Sequence, residues 1–162
     1  MTRRAVLMAV GWAMALNLAA HGAGNGADGS VVKPSTELSQ GINAMKIRMT
    51  VNGKAISATL INNGAAKDFL SLLPMTLTLD DYAATEKIAY LPRKLSTAGA
   101  PPGSDPSVGD IAYYAPWGNL AIFYKDSGFA KGLIPLARID SGIEALSGPG
   151  TLNVTIKPVE KK

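Results

Sequence analysis

The chain has 162 residues, 47% of them apolar and 17% charged, which is material for one packed core and excludes a disordered composition. It has no cysteine, which excludes disulfides and thiol chemistry, and its one histidine, His21, falls in a segment read below as a leader. The net charge of +4 drops to about +2 without Arg3 and Arg4, and the remaining lysines are scattered, so no nucleic-acid partner is expected: neutralising phosphates needs a concentrated basic surface.

Arg3 and Arg4 precede an apolar run from Ala5 to Ala20, and small residues follow from Gly22 to Gly26. A basic start, an apolar stretch and small residues at a cleavage point read as a signal peptide over residues 1–23, with an uncleaved anchor as the alternative. Thr2-Arg3-Arg4-Ala5-Val6-Leu7 resembles a twin-arginine signal, and an ordinary Sec leader accommodates the same pair. Either route predicts a bacterial periplasmic or secreted protein that does not hold to the membrane after cleavage. Residues 24–44, with Gly24, Gly26, Gly29, Ser30, Pro34, Ser35 and Ser39, cannot bury much and read as a flexible linker.

A folded domain is expected over residues 45–158, with a charged tail at 159–162. Ile47, Met49 and Val51 alternate with Lys46, Arg48 and Thr50, the mark of a half-buried strand. Asn52-Gly53 is the strongest two-residue hairpin signal, and Ile56, Ala58 and Leu60 form the face of the return strand. Ala66, Phe69, Leu70 and Leu73 fall at helical spacing, with Asn63 as cap and Pro74 as stop. Met75, Leu77 and Leu79 make a strand ended by Asp80-Asp81-Tyr82. Ile88, Tyr90 and Leu91 make another, closed by Pro92. The stretch from Arg93 to Val108 is rich in proline and lacks periodicity, and a loop of that length in a compact domain is often functional.

Gly109 to Asp126 holds two aromatic-rich runs joined at Pro116 and Gly118, a β-hairpin between Ile111 and Tyr124. Leu133 to Ile139 reads as a strand, Ser141 to Leu146 as a short capped helix, and Leu152, Val154 and Ile156 as the last strand. Many short antiparallel strands with two short helices predict a mainly β protein folded as a closed barrel, which removes exposed sheet edges. No His, Cys or carboxylate cluster has metal-ligand spacing, and no cofactor is indicated.

Three separated pieces resemble the cyclophilins, in the right order. Ala65 to Leu72 resembles the family's first helix with its Ala-x-x-x-Phe pattern. Gly109 to Phe123 resembles the Gly-x-Leu-x-Met-Ala hairpin and the strand ending in Phe-Phe-Ile. Gly132 to Leu146 resembles the late strand and helix. The similarity spans roughly Met45 to Lys157 and is closer to the compact cyclophilin-like proteins of prokaryotes, which have no assigned activity, than to the isomerases. It implies a cyclophilin-like antiparallel β-barrel. The isomerases' Phe-His-Arg segment is matched here by Ala89-Tyr90-Leu91-Pro92-Arg93-Lys94, without the histidine. Their Ser-Gln-Phe-Phe segment becomes Asn119-Leu120-Ala121-Ile122-Phe123, without the glutamine. Isomerisation needs a cation or donor beside the twisting amide, because resonance sets the barrier. Of the three arginines after the leader, Arg48, Arg93 and Arg138, the one at the start of the long loop, Arg93, is best placed for a groove.

These residues predict a ligand groove formed by Arg93, Tyr90, Tyr114, Trp117, Asn119 and Phe123, with no catalytic residue assigned. Tyr113 and Tyr114 point to opposite faces, so at most one of them lines it. Trp117 either stands exposed as a recognition aromatic or folds back onto the barrel, and Asn119 reads as a residue that satisfies turn backbone groups. Asp80 and Asp81 read as turn or cap residues. The leading function is a binding module for a small molecule or peptide. The alternatives are a divergent peptidyl-prolyl isomerase acting on exported proteins and an accessory protein that docks a partner through the same groove. Convergence of Arg93, Tyr114 and Phe123 on one cleft would favour the isomerase-like readings. The leader generates the first prediction: mass spectrometry of the protein from its native envelope finds a new N-terminus between Gly22 and Ala27. An intact Met1 in the cytoplasmic fraction would contradict it.

Overall fold

In Lys46–Val51 (β1), Ile47, Met49 and Val51 are buried while Lys46, Arg48 and Thr50 face water, as a half-buried strand requires. The structure, a computed structural model, describes residues 45–160. The expected leader and linker, and Lys161 and Lys162 of the tail, lie outside the described residues. Asn52 and Gly53 turn the chain into Lys54–Leu60 (β2) with φ of +48° and +77°, the positive values that a two-residue hairpin loop demands. Asn63 then caps the helix Gly64–Leu70 (α1). Its Oδ1 accepts from the Ala66 N–H at 2.8 Å, and its Nδ2 donates to the Pro135 carbonyl at 2.8 Å. One side chain thus starts the helix and ties it to a strand much later in the chain.

The remaining strands are Met75–Tyr82 (β3), Glu86–Tyr90 (β4), Gly103–Ser104 (β5), Asp110–Tyr114 (β6), Asn119–Phe123 (β7), Ala130–Lys131 (β8), Leu133–Ser141 (β9) and Leu152–Pro158 (β10). Eight of them close a barrel in the order β1-β10-β3-β4-β7-β6-β9-β2, and every neighbouring pair is antiparallel. The short strands β5 and β8 pair with each other in a separate ribbon. The interior is filled by alternate residues of the eight strands, among them Ile47, Ile56, Leu79, Ile111, Tyr113, Leu120, Leu136 and Ile156. Ala66 and Phe69 add the buried face of α1 to the same core.

The register assigns α1 to the end of the barrel where β3 begins and β2 finishes. At the opposite end Lys87 points inward and is fully buried. Its Nζ donates to the carbonyls of Gly148 and Gly150 and lies 2.9 Å from Asp81 Oδ1. A buried ammonium is tolerated only when oxygens replace its water, and here a carboxylate and two carbonyls do so. The same contacts fasten the segment between the fully buried Leu146 and β10.

Two expectations are corrected. The second helix is a single 3-10 turn, Ile143–Ala145, entered from Gly142 at φ +90° with no side-chain cap, so the barrel carries one α-helix. Asp80 and Asp81 are strand residues rather than turn or cap residues, because β3 runs on through Tyr82 and the turn is made by Ala83 and Ala84, both at φ +52°. β4 turns Lys87 and Ala89 inward, which leaves Tyr90 on the outside and 65% exposed. The packing of α1 yields a prediction. Phe69→Ala lowers the unfolding free energy by about 3–5 kcal/mol, read from urea denaturation, since a fully buried ring leaves a cavity that neighbours only partly fill. A change under about 1 kcal/mol would mean that the helix does not hold the core together.

Candidate functional site

A strand in a barrel wall normally has one dry face and one wet face, but β6 and β7 are dry on both. Ile111, Tyr113, Leu120 and Ile122 face the interior. Ala112, Ala121, Phe123 and the β9 residue Leu133 form a second buried cluster on the outer face, with Ile88, Tyr114 and Ala130 packed against it. Two loops cover that cluster. The long loop after β4 and the segment from Lys125 to Gly132 meet in the β5–β8 ribbon, which passes over the wall as a strap. The Ser104 hydroxyl donates to the Leu133 carbonyl at 3.0 Å, the Gly132 N–H to the Pro102 carbonyl at 2.8 Å, and the Val108 N–H to Asp126 Oδ1 at 2.8 Å.

Wall and strap do not meet everywhere. Between them lies a pocket of about 240 Å³. The wall contributes Tyr82 of β3, Glu86 of β4, Asn119 and Phe123 of β7, Tyr114 of β6 and Leu133 of β9. The strap contributes Pro106, Ser127, Gly128 and Ala130, and Trp117 comes from the hairpin tip. Trp117 folds back across the outer face. Its ring stands edge-on to Tyr114, with centroids 5.3 Å apart, and to Tyr82, with centroids 5.6 Å apart. Edge-to-face pairs of this kind are favourable beyond the area they bury. Trp117 nevertheless remains 46% exposed, so it is both packed and available to a ligand.

Among the described residues, one buried amide oxygen and one half-buried carboxylate of the pocket lack partners. Asn119 is 1% exposed; its Nδ2 donates to the Leu120 carbonyl at 3.2 Å, but its Oδ1 accepts nothing. Leaving a buried acceptor unpaired costs about 1–3 kcal/mol, and such an atom in a pocket is a place for a ligand donor. Glu86 is half-buried and its carboxylate forms no hydrogen bond or ion pair. Burial alone pushes its carboxyl above the ordinary value.

Of the six residues expected in the groove, the structure brings four together: Tyr114, Trp117, Asn119 and Phe123. Tyr113, the neighbour of Tyr114, enters the core and accepts a hydrogen bond from the Leu95 N–H. Tyr90 and Arg93 lie outside the pocket lining. Arg93 is engaged at α1, where its guanidinium meets both carboxylate oxygens of Asp68 at 2.9 and 2.6 Å and the Ser71 hydroxyl at 3.1 Å. That fork, with the Ser96 N–H, holds the Asp68 carboxyl well below the usual carboxylate range, and Asp68 in turn raises Arg93. Arg93 therefore fastens the long loop to the helix and does not converge with Tyr114 and Phe123. Arg138 pairs with Asp110.

Sequence reading missed Tyr82, Glu86 and every strap residue. The pairing of Tyr82 with Glu86 and of Glu86 with Phe123 lines three strands up side by side, and that register is invisible along the chain. The alternation of Glu86, Ile88 and Tyr90 did carry a signal, since Glu86 shares the outer face with the groove tyrosine that was named.

The chain belongs to the cyclophilin-like family, whose sequence profile matches residues 49–157. Its fold is also similar to the solution structure of the hypothetical protein AF2241 from Archaeoglobus fulgidus, at a TM-score of 0.52 and 16% identity, over 70% of this chain and 94% of that one. A comparison with curated proteins gives no match.

Just beyond Phe123, the Tyr124 hydroxyl donates to Asp81 Oδ1 at 2.7 Å, and Asp81 is also the partner of Lys87. Desolvation and the Asp81 carboxylate push the phenol up to about 12, and the hydrogen bonds from Tyr124 and Lys87 lower Asp81. A tyrosine in the unfolded chain titrates near 10, so this contribution to stability is whole below about pH 10. It is lost as pH rises through about 12. Tyr124→Phe accordingly flattens the alkaline fall in stability, measured by urea unfolding at a series of pH values. An unchanged alkaline slope would contradict the contact.

Proposed function

We propose that this protein is an exported binding module that takes a small molecule or peptide in the pocket between barrel wall and strap, without catalysing a reaction. One observation carries this reading: the buried Asn119, whose Oδ1 accepts no hydrogen bond, lines the pocket together with the aromatic residues Tyr82, Tyr114, Trp117 and Phe123. Binding sites combine an apolar, largely pre-formed lining with a few placed polar groups, and this pocket has that composition. Export rests on Arg3-Arg4 and the apolar run after them.

The chemistry of the lining disfavours the prolyl-isomerase alternative. Prolyl isomerisation calls for a cation or donor at the twisting amide, and among the described residues no lysine or arginine lines the pocket. Arg93, the cation that could have served, is held by Asp68 and Ser71. Removing such a donor commonly costs about two to three orders of magnitude in rate.

The test has two parts. In a Trp12→Phe background Trp117 is the lone tryptophan, and a screen of small molecules and short peptides should find compounds that saturably change its emission. The same protein should give no turnover above the uncatalysed rate in an exchange assay on an Ala-Pro peptide. A screen with no saturable change would overturn the binding reading. Turnover near that of a typical cyclophilin, abolished by Arg93→Ala, would replace it with the isomerase.

A further inference from the structure

The charge of the pocket lining has one sign. Among the described residues of the lining, Glu86 is the one charged side chain and the Asn119 amide oxygen is an unpaired acceptor. Lys87, the neighbour of Glu86, is on the other face of β4 and is committed to Asp81, Gly148 and Gly150. Beside Glu86 stand the rings of Tyr82 and Trp117, and aromatic faces attract cations through their quadrupoles. A carboxylate that has lost part of its water and gained no partner regains its balance when an ammonium arrives. Glu86 and Asn119 are separated by roughly 13 Å of strand along β7, with apolar and aromatic surface between them.

We infer that the pocket takes an organic cation, a protonated amine on an apolar or aromatic body, with the ammonium at Glu86 and a second donor at Asn119 Oδ1. This rests on the binding-module reading and narrows its ligand. The strand spacing suits an elongated molecule whose two donors are held apart by its body. A carboxylate in place of the amine would meet Glu86 with like charge and leave the Asn119 oxygen unanswered.

Three ligands of matched shape test the assignment: tyramine, which is cationic, tyrosol, its neutral alcohol counterpart, and phloretate, which is anionic. Each is titrated into the full chain, and the amide NMR signals of the pocket residues are followed. Tyramine should shift Asn119, Phe123 and the Trp117 indole and bind at least about tenfold more tightly than tyrosol, with phloretate weakest. Glu86→Gln should reduce tyramine to the level of tyrosol while the rest of the spectrum is retained. The tripeptide Gly-Lys-Gly presents the same ammonium from a peptide. Stronger binding of either tyramine or Gly-Lys-Gly supports the cation and tells which source the pocket prefers. If tyrosol or phloretate binds as tightly as tyramine, the cation assignment is overturned while the binding-module reading stands. If none of the four shifts the pocket signals, the assignment is overturned as well, and the binding-module reading is then judged by the broad screen alone.

Discussion

The β6–β7 hairpin is buried on both faces, and the rest of the molecule is arranged around that constraint. Its inner side chains help fill the barrel. Its outer ones, Ala112, Ala121 and Phe123, would leave an apolar patch in water if nothing covered them. The strap meets that need, and it does so with largely irregular chain pinned by the two-residue β5–β8 ribbon rather than with a helix. Irregular chain cannot follow a pleated surface closely over its whole length. The gap that remains is the pocket, so the site follows from how this fold dries its most apolar wall.

The two ends of the barrel are closed by different means, and the difference matters for the site. At one end α1 inserts Phe69, an apolar plug that needs no partner. At the other, Lys87 is buried against Asp81 and two carbonyls, and Asp81 also receives the Tyr124 hydroxyl. This second arrangement uses up the nearest lysine on the inner side of β4. Glu86, one residue away on the outer side, is left without a cation. Adjacent positions of one strand thus carry opposite charges to opposite faces, one satisfied and one open.

Much of the barrel could be read along the chain because alternation and turn chemistry are local. Ile47, Met49 and Val51, the Asn52-Gly53 turn, the Asn63 cap and the hairpin around Trp117 all depend on residues within a few positions of one another. Four pocket residues were legible for the same reason, since Tyr114, Trp117, Asn119 and Phe123 belong to one hairpin. Tyr82 and Glu86 were not, because β3–β4–β7 register brings them beside Phe123. Arg93 was given to the groove on its position after a strand, and only the tertiary approach of Asp68, 25 residues earlier, reveals its other engagement. The short strands of the strap escaped notice because a two-residue pair has no periodicity to read.

The strap creates the pocket without closing the barrel, whose eight strands pair with one another and not with β5 or β8. Gly103 separates the two roles. A Cβ there would collide with the Ala130 carbonyl oxygen and stand 2.7 Å from Phe129 Cζ, so the ribbon closes only around a glycine. The direct measurement is the amide NMR spectrum of Gly103→Ala compared with the parent protein. The signals of Ser104, Ala130, Asn119 and the Trp117 indole should be displaced, with those of interior residues such as Ile47, Ile56 and Leu136 in place. Unmoved Trp117 and Asn119 signals, or the loss of the interior signals along with them, would contradict it.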